Sequence, residues 1–353
     1  MSAKVAVLGA GVMGETLLSG LIRAGRRPEE LLITERREER AAELRERYGV
    51  DVVSNLDAAK QAETLVLVVK PQDMPDLLAE IAPAVQPSQT AILGAGVMGE
   101  TLLSGLVRAG RRVDNLLVGE KRPDRARELE ERYGVAVIGN REAAEKADTI
   151  ALVVKPQDMG DVLAEIAPVL RPGQLLVSLA AGITTAFVES HVPDGVAVVR
   201  VMPNTPALVD EGMAAISPGS HCDDHHLAEA EELMASVGKV LRIPERQQDA
   251  VTAISGSGPA YLFFVVESMI EAGVHLGLPR STATDLVVQT VVGSGKMLRE
   301  TGTHPTVLRE QVTSPAGTTA AALRELEVHK VRAAFLAAME AARDRSRELA
   351  EGS

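Results

Sequence analysis

Aromatic residues are nearly missing from this 353-residue chain: four Phe, three Tyr and no Trp, 2% in all. Proteins that hold single-stranded nucleic acid stack bases on such rings, so that class is disfavoured at once. An excess of positive charge is missing too. Asp and Glu number 49 against 37 Lys and Arg, a net charge of −12, and nucleic acid is not an expected partner. One cysteine, Cys222, excludes an internal disulfide and suits a reducing, cytoplasmic setting. Met1-Ser2-Ala3-Lys4 runs straight into an apolar strand pattern, so no signal peptide is expected. The most apolar late stretch, residues 261–278, carries Glu267, Glu271 and His275. It reads as a buried or interface helix rather than a membrane span. Small nucleotide ligands stay open, because local backbone dipoles hold phosphate even inside an acidic protein.

What the chain does have, it has twice. Val7-Leu8-Gly9-Ala10-Gly11-Val12-Met13-Gly14-Glu15-Thr16-Leu17-Leu18-Ser19-Gly20 returns almost letter for letter at residues 92–105. Gly94 answers Gly9, an offset of 85 that holds without a gap through Tyr48/Tyr133 and Lys70-Pro71-Gln72-Asp73/Lys155-Pro156-Gln157-Asp158. In the first copy, strand patterns at 5–8, 31–34, 51–53 and 65–69 alternate with helical ones at 15–23, 38–48 and 76–81, the last ending near Pro83. This rhythm predicts a parallel sheet with right-handed crossovers. Only the second copy continues, into strands at 175–179 and 196–201. An unequal in-frame join explains the asymmetry: either one strand serves two sheets, or the first copy lacks its fifth strand. From about residue 245 the pattern turns helical, with apolar faces wide enough to need partners in the domain or on another subunit. The expected architecture is α/β. A duplicated partial Rossmann-like unit (1–87) precedes a mostly parallel Rossmann-like dinucleotide-binding domain (88–244) and an all-α dimerisation and substrate-binding domain (245–353).

A lone G-x-G-x-x-G is a weak signal, but Gly94-Ala95-Gly96-Val97-Met98-Gly99 follows a strand and opens a helix. Gly94 makes the tight turn, Gly96 lets backbone approach a pyrophosphate, and Gly99 permits close helix–strand packing. At the end of the second strand, Glu120 argues for a free ribose and NAD. Lys121 and Arg122 argue for a 2′-phosphate, and Arg122 is the better bidentate ligand. The expected cofactor is NADPH, with NADH as the alternative. Lys155-Pro156-Gln157 ends the fourth strand at the edge where ligands lie in open α/β sheets, and Val154 before it is taken with Lys155 and Pro156 as a cofactor contact. Met202-Pro203-Asn204-Thr205-Pro206 ends a later strand on that edge, where Asn204 and Thr205 could bond a carboxamide. Thr313-Ser314-Pro315-Ala316-Gly317-Thr318-Thr319 precedes an Ala-rich helix. Local chemistry reads it first as an N-cap and second as a carboxylate site.

The run 305–319, with the Ala-rich helix behind it, resembles the signature of the pyrroline-5-carboxylate reductase family. Gly94 to Gly99, Lys155-Pro156, Ser178-Leu179-Ala180-Ala181-Gly182, Met202-Pro203-Asn204-Thr205-Pro206-Ala207-Leu208 and Ser255-Gly256-Ser257-Gly258-Pro259-Ala260-Tyr261 agree in order. The resemblance covers roughly residues 88–350. It implies NAD(P)H-dependent reduction of 1-pyrroline-5-carboxylate to L-proline by a homodimer or larger homo-oligomer. It gives Ser314, Gly317, Thr318 and Thr319 to the substrate carboxylate, with Thr319 near the ring nitrogen and Ser314 and Thr319 as the catalytic pair. Arg122 and its neighbours then read the adenosine phosphate, Asn140 contacts cofactor, and Lys155-Pro156, Ala180-Ala181 and Asn204-Thr205 flank the nicotinamide. The family usually has Gly where Ala316 stands, which implies a stiffer loop here. Reduction of another cyclic imine, or a nucleotide-binding but inactive duplicated homologue, are the alternatives.

Three further signals are discounted. His221-Cys222-Asp223-Asp224-His225-His226 resembles a metal cluster but reads better as a solvated loop with an Asp N-cap, so no metal is expected. Lys296 reads as a helix surface charge. The charged runs 38–47 and 124–132 read as exposed helix faces with i,i+4 pairs. A β-hydroxyacid dehydrogenase would carry Lys four residues after the second Gly of a helix-borne G-x-G. Here Gly256-Ser257-Gly258 is followed at that spacing by Leu262.

Overall fold

The computed structural model describes residues 4–62, 64–81 and 88–351, so Met1–Ala3 and the helix stop near Pro83 lie outside the described residues. Two compact units divide at residues 87 and 88. In the first, β1 (Val5–Leu8), β2 (Leu31–Thr34), β3 (Asp51–Val53) and β4 (Thr64–Leu67) form a parallel sheet in the order β3-β2-β1-β4. Helices α1 (Val12–Arg23), α2 (Glu38–Tyr48), α3 (Asn55–Gln61) and α4 (Met74–Ile81) make the crossovers. Gly49 closes α2 at φ +68, the left-handed conformation that only glycine adopts cheaply.

The second unit repeats this plan and completes it. Its strands are β5 (Thr90–Leu93), β6 (Leu116–Gly119), β7 (Ala136–Ile138), β8 (Thr149–Leu152), β9 (Leu175–Ser178), β10 (Ala197–Met202), β11 (Gly212–Pro218) and β12 (Gly238–Arg242). The sheet order β12-β11-β10-β9-β8-β5-β6-β7 contains the doubly wound arrangement of six parallel strands, extended by the antiparallel β11. Crossover helices α5 (Val97–Arg108), α6 (Pro123–Tyr133), α7 (Asn140–Lys146), α8 (Met159–Ile166), α9 (Thr185–Glu189) and α10 (Asp224–Ala235) cover the two faces. Two apolar clusters result, one on Leu102, Leu103 and Val177 and the other on Leu93, Leu152 and Leu176.

Of the two outcomes open for the join, the second holds. β5 belongs to the eight-stranded sheet alone, and the four-stranded sheet has no fifth strand among the described residues. The consequence is visible in burial. β8, flanked by β5 and β9, is wholly buried, whereas β4, paired only with β1, is half-buried to exposed. β11, β12 and α9 were not legible in advance. β11 reads Gly-Met-Ala-Ala-Ile-Ser-Pro, poor in β-branched residues, and β12 is an edge strand exposed along most of its length.

Behind β12 come α11 (Gln248–Val251), a π turn at Thr252–Gly256, α12 (Gly258–His275), α13 (Arg280–Thr301), α14 (Pro305–Gln311), α15 (Thr318–Val328) and α16 (Val331–Glu351). Their attachment to the sheet is polar. Glu245 accepts from Thr185 N at 2.8 Å and Oγ1 at 2.6 Å and pairs with buried Arg200. Gln248 Nε2 donates to Ala215 O and Ser217 Oγ, and Ser346 on α16 bonds Asp249 at 2.8 Å. From α12 onward the described apolar side chains are mostly exposed, Phe263 at 66%, Phe264 at 71% and Leu336 at 63% among them. The stretch expected to be buried or at an interface is therefore not buried within the single chain. Glu245–His275 is long and apolar enough to cross a membrane by length and composition, and 11% of its apolar window is buried.

Candidate active site

At the carboxyl edge of the eight-stranded sheet the three glycines of the β5–α5 turn do separate work. Gly94 sits at φ +100, and a Cβ there would lie 2.4 Å from the Val153 carbonyl oxygen, so the turn can cross β8 only as glycine. A Cβ on Gly99 would meet Gly94 O at 2.0 Å, which is how α5 lies so close on its own turn. A Cβ on Gly96 would meet nothing within 4 Å. Gly96 is also the N-cap of α5 and offers no side-chain hydrogen bond, so the first-turn N–H groups face open space.

That space is a cavity of about 330 Å³. Gly96, Val97, Met98 and Gly99 form one wall, Val153, Val154, Lys155 and Pro156 the next, and Leu179, Ala180, Ala181, Met202 and Pro203 the last. Four consecutive strands of one sheet thus deliver their ends to one place. Val153, Leu179, Met202 and Pro203 line it without having been assigned a cofactor contact from the sequence, although Met202-Pro203 had been placed on this edge and Leu179 in a family motif. The usable signal was position alone, since Val153 and Leu179 each follow directly on a strand of the same edge. Asn204 and Thr205 do not line this cavity. Asn204 Nδ2 donates to Ser255 O at 3.1 Å and its Oδ1 accepts from Met213 N at 2.8 Å, so the amide braces the loop against β11 and the π turn.

Lys121, Arg122 and Asn140 are gathered into a second cluster, at the ends of β6 and β7. Arg122 Nε lies 3.2 Å from Glu120 Oε1, Lys121 Nζ 3.6 Å from Glu165, and Asn140 Nδ2 donates to the same Glu165 at 3.1 Å. Glu165 was not anticipated. Burial works to raise the Glu120 carboxyl, but hydrogen bonds and charge from Arg122 outweigh it and hold the group below the ordinary carboxylate range. Behind the glycine turn, Glu100 accepts from Arg125, Arg132 and Tyr133. Burial raises this carboxyl too, and the arginines and tyrosine outweigh it. In place of the i,i+4 pairs expected on the charged runs, Arg40 and Arg125 pair at i,i+3 with Glu43 and Glu128 and reach across to Glu15 and Glu100.

The loop 313–319 does not line the cavity of this chain. Gly317 N donates to Ser314 O at 3.0 Å, and a Cβ on Gly317 would lie 2.4 Å from Ser314 Oγ, so any larger residue there would displace the Ser314 hydroxyl. Ala316 adopts φ +56. Gly317 is the N-cap of α15 with no side-chain cap, and the hydroxyls of Ser314, Thr318 and Thr319 make no hydrogen bond among the described residues. The N-cap reading of these hydroxyls is therefore not what the structure adopts. Elsewhere, Asp223 does cap α10 through His226 N at 3.0 Å, and no three His, Cys, Asp or Glu side chains among the described residues could hold a metal. Lys296 faces Glu300 on the surface of α13.

Comparison with known proteins decides the family. A pyrroline-5-carboxylate reductase from Corynebacterium melassecola is 47% identical over 263 residues, 73% of this chain and 97% of that protein. The chain belongs to the pyrroline-5-carboxylate reductase family. The Mycobacterium tuberculosis member is 45% identical over 285 residues, covering 74% of this chain and 97% of its own. The solved pyrroline-5-carboxylate reductase of Coxiella burnetii aligns with a TM-score of 0.72 at 36% identity, over 75% of this chain and 99% of that one. A Plasmodium falciparum pyrroline carboxylate reductase solved with NADP bound gives 0.68 at 32% identity, over 74% and 98%. Residues 245–349 match the family described as pyrroline-5-carboxylate reductase dimerisation. A family described as NADP oxidoreductase coenzyme F420-dependent matches twice, at residues 4–90 and 89–182. The family relatives thus account for about three quarters of the chain, and the duplicated segment stands as an addition to a pyrroline-5-carboxylate reductase.

Proposed function

We propose that this chain reduces 1-pyrroline-5-carboxylate to L-proline, with NADPH held by the second unit. The observation that carries the reading is the uncapped start of α5 opening on a cavity walled by the ends of β5, β8, β9 and β10. Gly96 leaves the phosphate approach clear, and the α5 dipole favours an anion there. Lys121 and Arg122 are largely exposed and serve a 2′-phosphate by shifting from Glu165 and Glu120. Asn140 lies beside them. Val154, Lys155, Pro156, Ala180 and Ala181 give the nicotinamide end its walls. Asn204 supports these walls rather than bonding ligand, with Thr205 next to it in the loop.

When bound, NADPH supplies a hydride to the imine carbon. The chain's residues chiefly orient the reactants, because a cyclic imine nitrogen is readily protonated and needs no strong acid. Ser314, Thr318 and Thr319 offer free hydroxyls at the start of α15, and Gly317 leaves its N-cap position without a side chain, a fit for the substrate carboxylate. Ser314 and Thr319 act by holding that carboxylate and the ring. A second copy of the chain covers the exposed faces of α12 and α13, giving a homodimer or a larger homo-oligomer. A reducing cytoplasm fits the single unpaired Cys222. The test is a steady-state assay with 1-pyrroline-5-carboxylate and each reduced cofactor, with proline measured directly. Absence of proline with both cofactors overturns the reading, and light scattering checks the assembly.

A further inference from the structure

The duplicated unit carries a cavity of its own. It measures about 650 Å³ and lies at the carboxyl edge of β1–β4, lined by Gly9 and Gly11, by Arg36 and Arg37, and by Asn55 and Lys70. The glycine turn keeps the geometry of its twin. Gly9 is at φ +110 with a virtual Cβ 2.5 Å from Val68 O, and Gly14 would clash with Gly9 O. Gly11 faces nothing within 4 Å and caps α1 without a side-chain bond. Behind it, Glu15 is held by Arg40, Arg47 and Tyr48, as Glu100 is held by Arg125, Arg132 and Tyr133.

The copies differ beside the adenosine end. In the second unit Asn140 is buried against Gly119, and a Cβ at position 119 would lie 2.3 Å from its Oδ1. The first unit has Thr34 at that position, and Thr34 carries that Cβ. Asn55, the counterpart of Asn140, keeps the equivalent partner: its Nδ2 donates to Glu80 at 3.0 Å as that of Asn140 donates to Glu165 at 3.1 Å, and Asn55 is half-buried where Asn140 is buried. Two guanidiniums border this end: Arg37, 71% exposed and 3.1 Å from Glu35, and Arg36, 83% exposed and 3.6 Å from Glu80. At the other end the first unit keeps only the Val68, Val69 and Lys70 wall: β4 has no outer neighbour among the described residues, and the first copy has no sequence counterpart of the Leu179–Ala181 and Met202-Pro203 walls.

We infer that the first unit is a second, non-catalytic nucleotide site. It takes the 2′-phospho-ADP-ribose half of a NADP-type dinucleotide, with the pyrophosphate over Gly9–Gly11 and the 2′-phosphate between Arg36 and Arg37, and supplies no complete pocket of its own for the nicotinamide. Two arginines make this a stronger phosphate fork than the Lys–Arg pair of the second unit. The inference does not depend on turnover by the second unit, since its readout is binding alone.

The test uses the full chain and isothermal titration with NADPH and with 2′,5′-ADP. Gly11 and Gly96 have ordinary extended backbone, φ −65 and −67, and empty space at Cβ, so Gly11→Asp and Gly96→Asp put a carboxylate into each phosphate site without disturbing the turn. Wild type should bind two nucleotides per chain, each single variant one, and the double variant none. In Gly96→Asp the surviving site should hold 2′,5′-ADP within about threefold of NADPH, because the nicotinamide end has no complete pocket to add affinity. Adding Arg36→Ala should weaken that site at least about tenfold, the loss expected for a charge-assisted phosphate contact. A folded Gly96→Asp protein that binds no nucleotide overturns the inference. A wild-type stoichiometry of one that Gly11→Asp leaves unchanged overturns it as well, and so does a strong preference of the surviving site for NADPH over 2′,5′-ADP.

Discussion

Gly20 and Gly105 occupy the same place in nearly the same helix, Leu-Leu-Ser-Gly-Leu, and alanine there should have opposite effects. Glycine in a helix interior costs about 0.8–1.0 kcal/mol relative to alanine, so propensity alone favours both changes equally. At Gly20 a Cβ meets nothing within 4 Å, and Gly20→Ala should stabilise the first unit by about 1 kcal/mol. At Gly105 a Cβ would lie 2.3 Å from Val237 Cγ1 and 2.9 Å from the Ser236 carbonyl oxygen. A branched side chain and a backbone atom give way poorly, and overpacking of this kind costs about 1–3 kcal/mol. Net of the helix gain, Gly105→Ala should destabilise the second unit by up to about 2 kcal/mol. Urea titration read by hydrogen exchange in peptides from α1 and α5 reports each unit separately. Alanine acting with the same sign at both positions would refute the close packing of α5 on residues 236–237.

Ala316→Gly should raise stability modestly. A non-glycine residue at φ +56 costs about 1–2 kcal/mol, and glycine's wider unfolded ensemble returns about half of that, so a small rise in the denaturation midpoint is expected. A fall would argue against the left-handed turn. Glu100→Gln tests the half-buried carboxylate. Its folded pKa is held below the ordinary 4.5, so its stabilising contribution is complete above 4.5 and is lost as pH falls through the folded value. The variant should be less stable than wild type near neutrality, and the gap should narrow in acid; a constant gap rules the network out. Thr319→Val should lower kcat and Ser314→Ala should chiefly raise KM for the imine. Unchanged steady-state constants in both would remove the loop from the substrate site.

Much was written locally. The strand–glycine–helix pattern at Gly94–Gly99, the alternation that makes a parallel sheet, and the in-register repeat are short-range features, each set by backbone sterics and by which side chains recur. Lys155-Pro156 and Met202-Pro203 could be assigned to one edge because strand ends of a parallel sheet meet there, whereas Ala180-Ala181 came only from the family resemblance. Other outcomes depended on who lies beside whom. Helix sequences that differ only at Ile22/Val107 bury Leu102 fully but leave Leu17 41% exposed: residues 205–209, α10 and Val237 cover α5, and the described residues of the first unit include no such elements. Asn204 looks like a ligand donor in sequence and is consumed by Ser255 and Met213, partners 51 and 9 residues away. Glu165 matters only because a crossover brings α8 against the ends of β6 and β7. Local chemistry sets what an element is. Burial and hydrogen-bond supply, which distant segments decide, set what each of its residues is free to do.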